Sequence, residues 1–200
     1  GQFVNLNFDA GTVNTGGNFN GFDNPNCEII GWKNWNNAPT LADSGVEGPT
    51  AWWGAYQNNS AFMKMGDGGY NLSTYTIQAG DVFDVGLMGK GWGAGWATPG
   101  AQLTITLFYG SDPSQNSLGS FNTGALTQVD SSAYAHFGST IAAMPASVGQ
   151  ILGVSVLSSG AANTYANFDS LTVAVVPEPA TFSLVAVAGL GIAMMRRKNR

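Results

Sequence analysis

The chain has 200 residues, a single cysteine and only 10% charged residues, so it cannot form an internal disulfide bond. Eleven of its 12 acidic residues but only three of its seven basic residues precede Pro177, which makes this part of the chain acidic. That balance argues against binding to nucleic acid, which proteins contact mainly through Lys and Arg side chains at phosphates.

Short strands separated by glycine- and asparagine-rich turns are predicted for most of the chain before Pro177. Alternating apolar and polar residues predict strands at Phe3–Phe8 and Val82–Met88. The sequence Asp67-Gly68-Gly69 is typical of a β-hairpin turn. The clearest strand is Gln102–Tyr109, in which alternate residues form one fully apolar face.

The strand pattern predicts an all-β fold for residues 1–176. No stretch before residue 180 has a helical period over ten or more residues, and two glycine-containing stretches, Lys33–Gly48 and Gly89–Gly100, are predicted as loops. About ten short strands of this kind indicate an antiparallel β-sandwich, most consistent with a jelly roll. Tyr165–Val176 is predicted as its last strand.

The last 24 residues, 177–200, form a separate segment with three parts in a fixed order. Pro177, Glu178 and Pro179 stop any strand, because each proline lacks a backbone donor. The uncharged tract Ala180–Met195 predicts an apolar helix that is slightly short for a membrane span, which needs about 20 residues. The segment ends in four basic side chains that can reach lipid headgroups: Arg196, Arg197, Lys198 and Arg200.

This segment resembles the PEP-CTERM sorting signal of Gram-negative bacteria in motif, order and terminal position. The resemblance implies export, transient membrane anchoring through the tail, and recognition by an exosortase, a membrane-embedded transpeptidase-like enzyme thought to remove the tail. It implies a final location at the outer surface or in the extracellular matrix. It also implies a secretory signal peptide that has been removed or left out of this sequence. An ordinary C-terminal anchor or a buried core helix would have a similar apolar tract.

The body has its own resemblance. It has a glycine- and asparagine-rich stretch ending in Gly31-Trp32, a turn at Ile77–Val82, and a last strand containing Asn167–Val173. These features are similar to the galactose-binding-like jelly rolls used by many carbohydrate-binding modules. Modules of this type commonly hold a structural calcium between an early acid and an aspartate of the last strand, here Asp9 and Asp169, and calcium prefers such oxygen ligands.

The sequence contains no recognisable catalytic constellation. Its one histidine, His136, and its one cysteine, Cys27, would need a third group to form a nucleophilic site. The sequence also lacks the short motifs of hydrolases, phosphate-binding loops and zinc proteases. We therefore predict no enzymatic activity and no cofactor other than the calcium implied by the resemblance.

Six tryptophans lie between residues 32 and 96. Exposed indoles can stack on the apolar face of a sugar ring or anchor a protein interface, whereas buried ones support the core and its loops. Trp52 and Trp53 are adjacent, so on a strand only one of them can point inward. The candidate binding residues are Trp35, Trp52, Trp53, Trp92 and Trp96.

Three functions are compatible with these observations. The first is a non-catalytic surface or biofilm-matrix protein, sorted through its tail. The second is a carbohydrate-binding module that holds a polysaccharide with exposed tryptophans. The third is a self-assembling subunit of a filament or lattice, in which the tail helix packs against copies of itself through small residues such as Gly189 and Gly191.

Overall fold

The computed structural model describes residues 3–10, 23–24, 27–35, 44–48, 56–92, 100–126 and 134–176. Within these ranges no helix is long and apolar enough to cross a membrane. The described helical structure is a single turn of 3-10 helix, Pro145–Ser147. The sorting motif, the predicted helix Ala180–Met195 and the basic end lie outside the described residues.

Ten of the described strands form two five-stranded sheets. The described strands are β1 (Asp23–Asn24), β2 (Cys27–Glu28), β3 (Trp32–Trp35), β4 (Gly45–Glu47), β5 (Ser60–Lys64), β6 (Gly68–Thr76), β7 (Val82–Trp92), β8 (Gln102–Tyr109), β9 (Ser117–Asn122), β10 (Ala135–Ala142), β11 (Ile151–Ser159) and β12 (Tyr165–Val176). Sheet I has the order β10-β7-β12-β5-β4, and sheet II has the order β3-β6-β11-β8-β9; β1 and β2 pair separately.

All pairings between described strands are antiparallel. The predicted all-β antiparallel sandwich is therefore confirmed, and its strand order is consistent with a jelly roll. The bounds of β8 and β12 are those that the sequence predicts.

One hydrophobic core lies between the inner faces of the two sheets. The apolar face of β8 is fully buried there, as its alternation predicts, through Leu103, Ile105 and Leu107. Sheet I contributes fully buried side chains such as Phe83 and Phe168. Burial of each such side chain contributes about 1.5–3 kcal/mol, so the inner faces hold the sheets together and leave the two outer faces for other roles.

The strand predicted at Phe3–Phe8 is wrong, because this segment is a turn. Asn5 and Phe8 have φ angles of 60° and 57°, in the left-handed region. The Asn5 side chain exchanges two hydrogen bonds with the backbone of Ala10, at 2.6 and 2.8 Å. The turn places Phe8 in the core, where its ring meets the Phe168 ring edge-on at a centroid distance of 5.3 Å. The segment therefore has the alternating apolar residues of a strand, although it does not pair with another strand.

The hairpin predicted at Asp67-Gly68-Gly69 is also wrong. The strands on either side, β5 and β6, belong to different sheets: β5 pairs with β12 and β4, whereas β6 pairs with β3 and β11. The chain turns at Gly66, whose φ of +91° favours glycine, and then crosses from sheet I to sheet II. The local signal identified a turn but not the partners of the strands.

Two predicted loops contain strand residues. Lys33–Gly48 includes the end of β3 and all of β4, and β7 continues to Trp92 through the stretch predicted as a loop from Gly89. Gly91 permits a close approach of the chain, because a Cβ there would lie 2.2 Å from the Leu126 carbonyl oxygen. These corrections matter because they place Glu47 and Lys90 on the outer face of sheet I.

Candidate functional site

An open cavity of about 500 Å³ lies beside the outer face of sheet II, where β3 and β6 meet the turn between β8 and β9. We call it the Trp35 cavity. The strands and the turn contribute both aromatic and polar side chains to its walls. The lining residues are Asn34, Trp35, Tyr70, Ser111, Asp112, Pro113 and Ser114.

Glycines in the strands make room for the aromatic side chains of this face. Trp35 is paired with Gly68, where a Cβ would lie 3.1 Å from the indole Cε3. Tyr70 meets the ring of Phe108 edge-on at a centroid distance of 6.2 Å. Phe108 in turn lies over Gly153, where a Cβ would be 2.2 Å from its Cζ. The cavity wall therefore rests on side chains that could not lie there if the strands carried larger residues.

The polar side of the cavity is organised by a short turn. The Asp112 carboxylate accepts hydrogen bonds from the Ser114 backbone N–H at 2.9 Å and from the Ser114 hydroxyl at 2.7 Å. These bonds lower the pKa of Asp112, so the carboxylate is ionised at neutral pH. Asn34 Oδ1 is shielded from solvent and has no hydrogen-bond partner among the described residues, and on β3 its side chain shares the face of the core residue Trp32.

The structure places two of the five candidate tryptophans. Trp35 is a half-buried wall of the cavity. Trp92 ends β7, where its backbone is paired with Tyr165. Trp52, Trp53 and Trp96 lie outside the described residues. The sixth tryptophan, Trp32, is a core residue whose indole N–H donates to the Asn5 carbonyl at 3.0 Å.

Asp9 and Asp169 lie near enough for their charges to interact, as the calcium expectation requires. Asp169 is buried, which raises its pKa to about 6, and the negative charge of Asp9 contributes to the same shift. A backbone hydrogen bond of 3.2 Å from Leu171 to Leu6 joins the two segments. No group of three or more His, Cys, Asp or Glu residues within the described ranges could hold a metal. A calcium ion would therefore need carbonyl oxygens in addition to these two carboxylates.

A second group of polar residues lies on the outer face of sheet I, and sequence reasoning missed it. We call it the Glu47 cluster: Glu47, Ser60, Lys90, Tyr134 and Asn167. Glu47, Lys90 and Asn167 are only 1%, 2% and 2% exposed, although they point away from the hydrophobic core. Lys90 on β7 is directly opposite Asn167 on β12. The Asn167 side-chain N–H donates to Glu47 Oε1, and the Lys90 Nζ lies 4.8 Å from the centre of the Tyr134 ring.

The electrostatics of the cluster are dominated by burial. Loss of water raises the pKa of Glu47 to about 7, although the Lys90 charge and the Asn167 hydrogen bond act in the opposite direction. Burial also raises the pKa of Tyr134, whose hydroxyl has hydrogen bonds with Ser60 and Asn167. Glu47 Oε2 has no hydrogen-bond partner among the described residues. A carboxyl group with this pKa can both accept and donate a proton at neutral pH.

Little in the sequence could have revealed the cluster. Lys90 is flanked by glycines, which favoured a loop, and Glu47 follows a polar stretch with glycine and proline. The one usable signal is the rarity of lysine, since the body has only three. His136, in contrast, is exposed on β10.

Solved structures with a similar fold include carbohydrate-binding modules. A CBM4 module matches with a TM-score of 0.53 and 16% identity, covering 86% of this chain and 99% of that one. An arabinose-bound α-L-arabinofuranosidase, MgGH51, matches with a TM-score of 0.50 and 14% identity, covering 74% of this chain and 23% of that one. A family 16 carbohydrate-binding module has a TM-score of 0.46 and 16% identity, covering 73% of this chain and 92% of that one.

The likeness to the CBM4 module shows that the body has the same β-sandwich fold as that module. The chain spans less than a quarter of the length of the arabinofuranosidase. At identities of 14–16% the likenesses do not identify a ligand. The sequence matches no family model and no curated protein.

Proposed function

We propose that the body is a non-catalytic carbohydrate-binding domain and that a polysaccharide segment occupies the Trp35 cavity. Of the three functions compatible with the sequence, this one is supported best by the fold and by the described side chains. The observation that carries it is the cavity itself, in which aromatic side chains and polar groups converge on one open volume.

The chemistry of the cavity suits a neutral, hydroxyl-rich ligand. Its volume of about 500 Å³ lies within the range of small-ligand sites, roughly 300–1,000 Å³. Trp35 and Tyr70 offer apolar surface for a sugar ring, and the Asp112 carboxylate can accept hydrogen bonds from hydroxyls. Asp112 is the one charged side chain among the described lining residues, which disfavours a highly charged ligand.

A titration series tests this proposal. Soluble xylan, mixed-linkage glucan, arabinan and galactan are titrated into the protein and followed by calorimetry. We expect one of them to bind and Trp35→Ala to weaken that binding about tenfold or more, equivalent to about 1.4 kcal/mol. Ile151→Ala, on an exposed position of the same sheet, is the matched control and leaves affinity unchanged. Binding that is equally strong in Trp35→Ala would overturn the assignment of the cavity.

We extend the proposal to the cellular role through the tail. Residues 177–200 support export and sorting by an exosortase, which would present the binding domain at the cell surface or in the matrix. Coexpression with an exosortase should shorten the protein by a mass corresponding to its tail. Replacing Pro177 and Pro179 with alanine should prevent this. An unchanged mass of the natural sequence in the presence of an active exosortase would count against the sorting role.

Calcium binding is a separate part of the proposal. Asp9 and Asp169 would hold the ion together with nearby carbonyl oxygens, and the ion would neutralise two like charges at the junction of the N-terminal turn with β12. We expect added calcium to raise the melting temperature of the protein but not of Asp169→Asn. Asp112→Asn is the control and keeps the calcium effect. A melting temperature independent of calcium would exclude the site.

A further inference from the structure

We propose that Lys90 and Asn167 become joined by an intramolecular isopeptide bond and that Glu47 promotes the reaction. This inference is independent of sugar binding. It starts from the position of the two residues, which are directly opposite each other on the central strands β7 and β12. Side chains in such a pair begin about 4.5–5.5 Å apart at Cβ, within reach of a lysine amine.

Tyr134 provides evidence that the reacting groups converge. The Lys90 Nζ lies 4.8 Å from the centre of the Tyr134 ring, and the Tyr134 hydroxyl has a hydrogen bond with the Asn167 side chain. The amine and the carboxamide therefore approach the same aromatic ring. Lys90 and Asn167 are also almost fully buried, which excludes bulk water as a competing nucleophile.

The two oxygens of Glu47 are suited to two proton transfers. Oε1 already accepts a hydrogen bond from the Asn167 Nδ2, which is the leaving group of the proposed reaction. Oε2 is buried and has no hydrogen-bond partner among the described residues, while the charge of Lys90 acts on this carboxyl group. Oε2 is thus available to receive a proton from the amine. The raised pKa of Glu47, about 7, allows the carboxylate to take up a proton and return it near neutral pH.

The reaction balances without another reagent. The Glu47 carboxylate removes a proton from the Lys90 ammonium, and the neutral amine attacks Cγ of Asn167 to form the new C–N bond. Glu47 then protonates the Asn167 nitrogen as its bond to Cγ breaks, and ammonia leaves with a further proton from the attacking nitrogen. The product is a secondary amide between Lys90 Nζ and Asn167 Cγ. No electron is gained or lost, so no oxidant or reductant is required.

Such a bond would tie β7 to β12 covalently in a protein whose single cysteine cannot form an internal disulfide. The linked residues are far apart in sequence, so the bond would restrict the unfolded chain strongly, as a disulfide does. Unlike a disulfide, it would resist reducing agents.

The mass of the intact, denatured chain tests the proposal directly. We expect the mass calculated from the expressed sequence minus one molecule of ammonia. Tryptic digestion under denaturing conditions locates the bond in the chain, because trypsin does not cleave after an acylated lysine. The cross-linked protein should give one fragment covering residues 65–196, less one ammonia, instead of separate fragments 65–90 and 91–196. A mass equal to the calculated one, or cleavage after Lys90, would overturn the proposal.

Variants separate the roles of the three residues. Lys90→Met, Asn167→Ala and Glu47→Gln should each retain the full calculated mass, whereas Lys33→Met, at an exposed position, should still lose ammonia. Loss of ammonia by a folded Glu47→Gln protein would remove Glu47 from the mechanism. If a variant fails to fold, the mass and the tryptic fragment of the unmodified sequence still decide the question.

Discussion

The outer faces of the two sheets differ, although both belong to one sandwich. On sheet II, Trp35 and Tyr70 border an open cavity with polar groups on its other side. On sheet I, Glu47, Lys90 and Asn167 are shielded from water, and Glu47 interacts with both of the other residues. The open face is suited to a ligand from outside, whereas the closed face is suited to chemistry within the chain. The difference shows that polar residues on an outer face need not indicate a binding surface.

Removing the positive charge from the closed face should have the largest effect. Compared in the Asn167→Ala background, where the proposed bond cannot form and Lys90 keeps its charge, Lys90→Met leaves Glu47 buried without its nearby cation, which typically costs about 3–5 kcal/mol. We expect this loss in the free energy of unfolding at pH 8, measured with urea. The loss should be smaller at pH 5, where Glu47 is protonated. Lys33→Met should lose almost nothing, and an equally small effect of both substitutions would show that the closed face is not electrostatically coupled.

The free energy of unfolding should decrease as the pH rises, because folding raises the pKa of a buried carboxyl group. The pKa of Glu47 rises from 4.5 to about 7 on folding. The contribution of this group to the free energy of unfolding is therefore fully present below pH 4.5 and is lost as the pH rises through 7. At about 1.4 kcal/mol per pH unit this corresponds to a loss on the order of 3 kcal/mol. Asp169, with a pKa of about 6, acts in the same direction.

Glu47→Gln isolates the contribution of Glu47, because a glutamine does not titrate. The difference in unfolding free energy between the natural sequence and this variant should decrease between pH 4.5 and pH 8. A difference that increases with pH would mean that Glu47 is stabilised as a carboxylate, so that the Lys90 charge and the Asn167 hydrogen bond outweigh the effect of burial.

The open face should respond to steric changes. Gly153→Ala introduces a Cβ that would lie 2.2 Å from Phe108 Cζ, so Phe108 must move against Tyr70. Overpacking of this kind costs about 1–3 kcal/mol, measurable by urea unfolding. The same change should weaken polysaccharide binding, because it displaces the cavity wall. An unaltered affinity together with reduced stability would separate Tyr70 from the binding site.

The smallest effect on stability is expected from the exposed charge of the cavity. Asp112→Asn removes a carboxylate whose hydrogen bonds with Ser114 can largely be kept by an amide oxygen. The melting temperature should therefore stay unchanged, since exposed charges contribute little to folding. Sugar affinity should fall severalfold in a calorimetric titration. A clear loss of stability would mean that the turn has a structural role beyond the cavity.

Local sequence patterns predicted features of single strands, such as where a strand begins and ends, but not which strands pair. Alternation predicted the bounds of β8, because this strand has a continuous face in contact with the core. The bounds of β12 also match the prediction, although a bulge between Asp169 and Thr172 interrupts its register. Local patterns failed at Phe3–Phe8, where positive φ angles at Asn5 and Phe8 make a turn that still buries apolar side chains. They also failed at Asp67-Gly68-Gly69, because pairing partners are determined by contacts distant in sequence.

The candidate sites show the same division. Trp35 could be nominated from the sequence because six tryptophans within residues 32–96 are themselves unusual. Its partners Tyr70 and Asp112 are brought to it by the sandwich. The Glu47 cluster could not be nominated, since Glu47 and Asn167 are 120 residues apart. Burial converts these ordinary polar residues into a reactive group, and burial is a property of the whole fold.

Mapping the binding site by NMR tests the assignment of roles to the two faces most directly. An oligosaccharide of the polysaccharide that binds is titrated into the labelled protein, and amide and indole signals are followed. We predict the largest shifts at the Trp35 indole and at Tyr70, with the signals of Lys90 and Asn167 unchanged. Shifts concentrated around Lys90 and Asn167, with Trp35 unaffected, would contradict the open cavity as the site of carbohydrate binding.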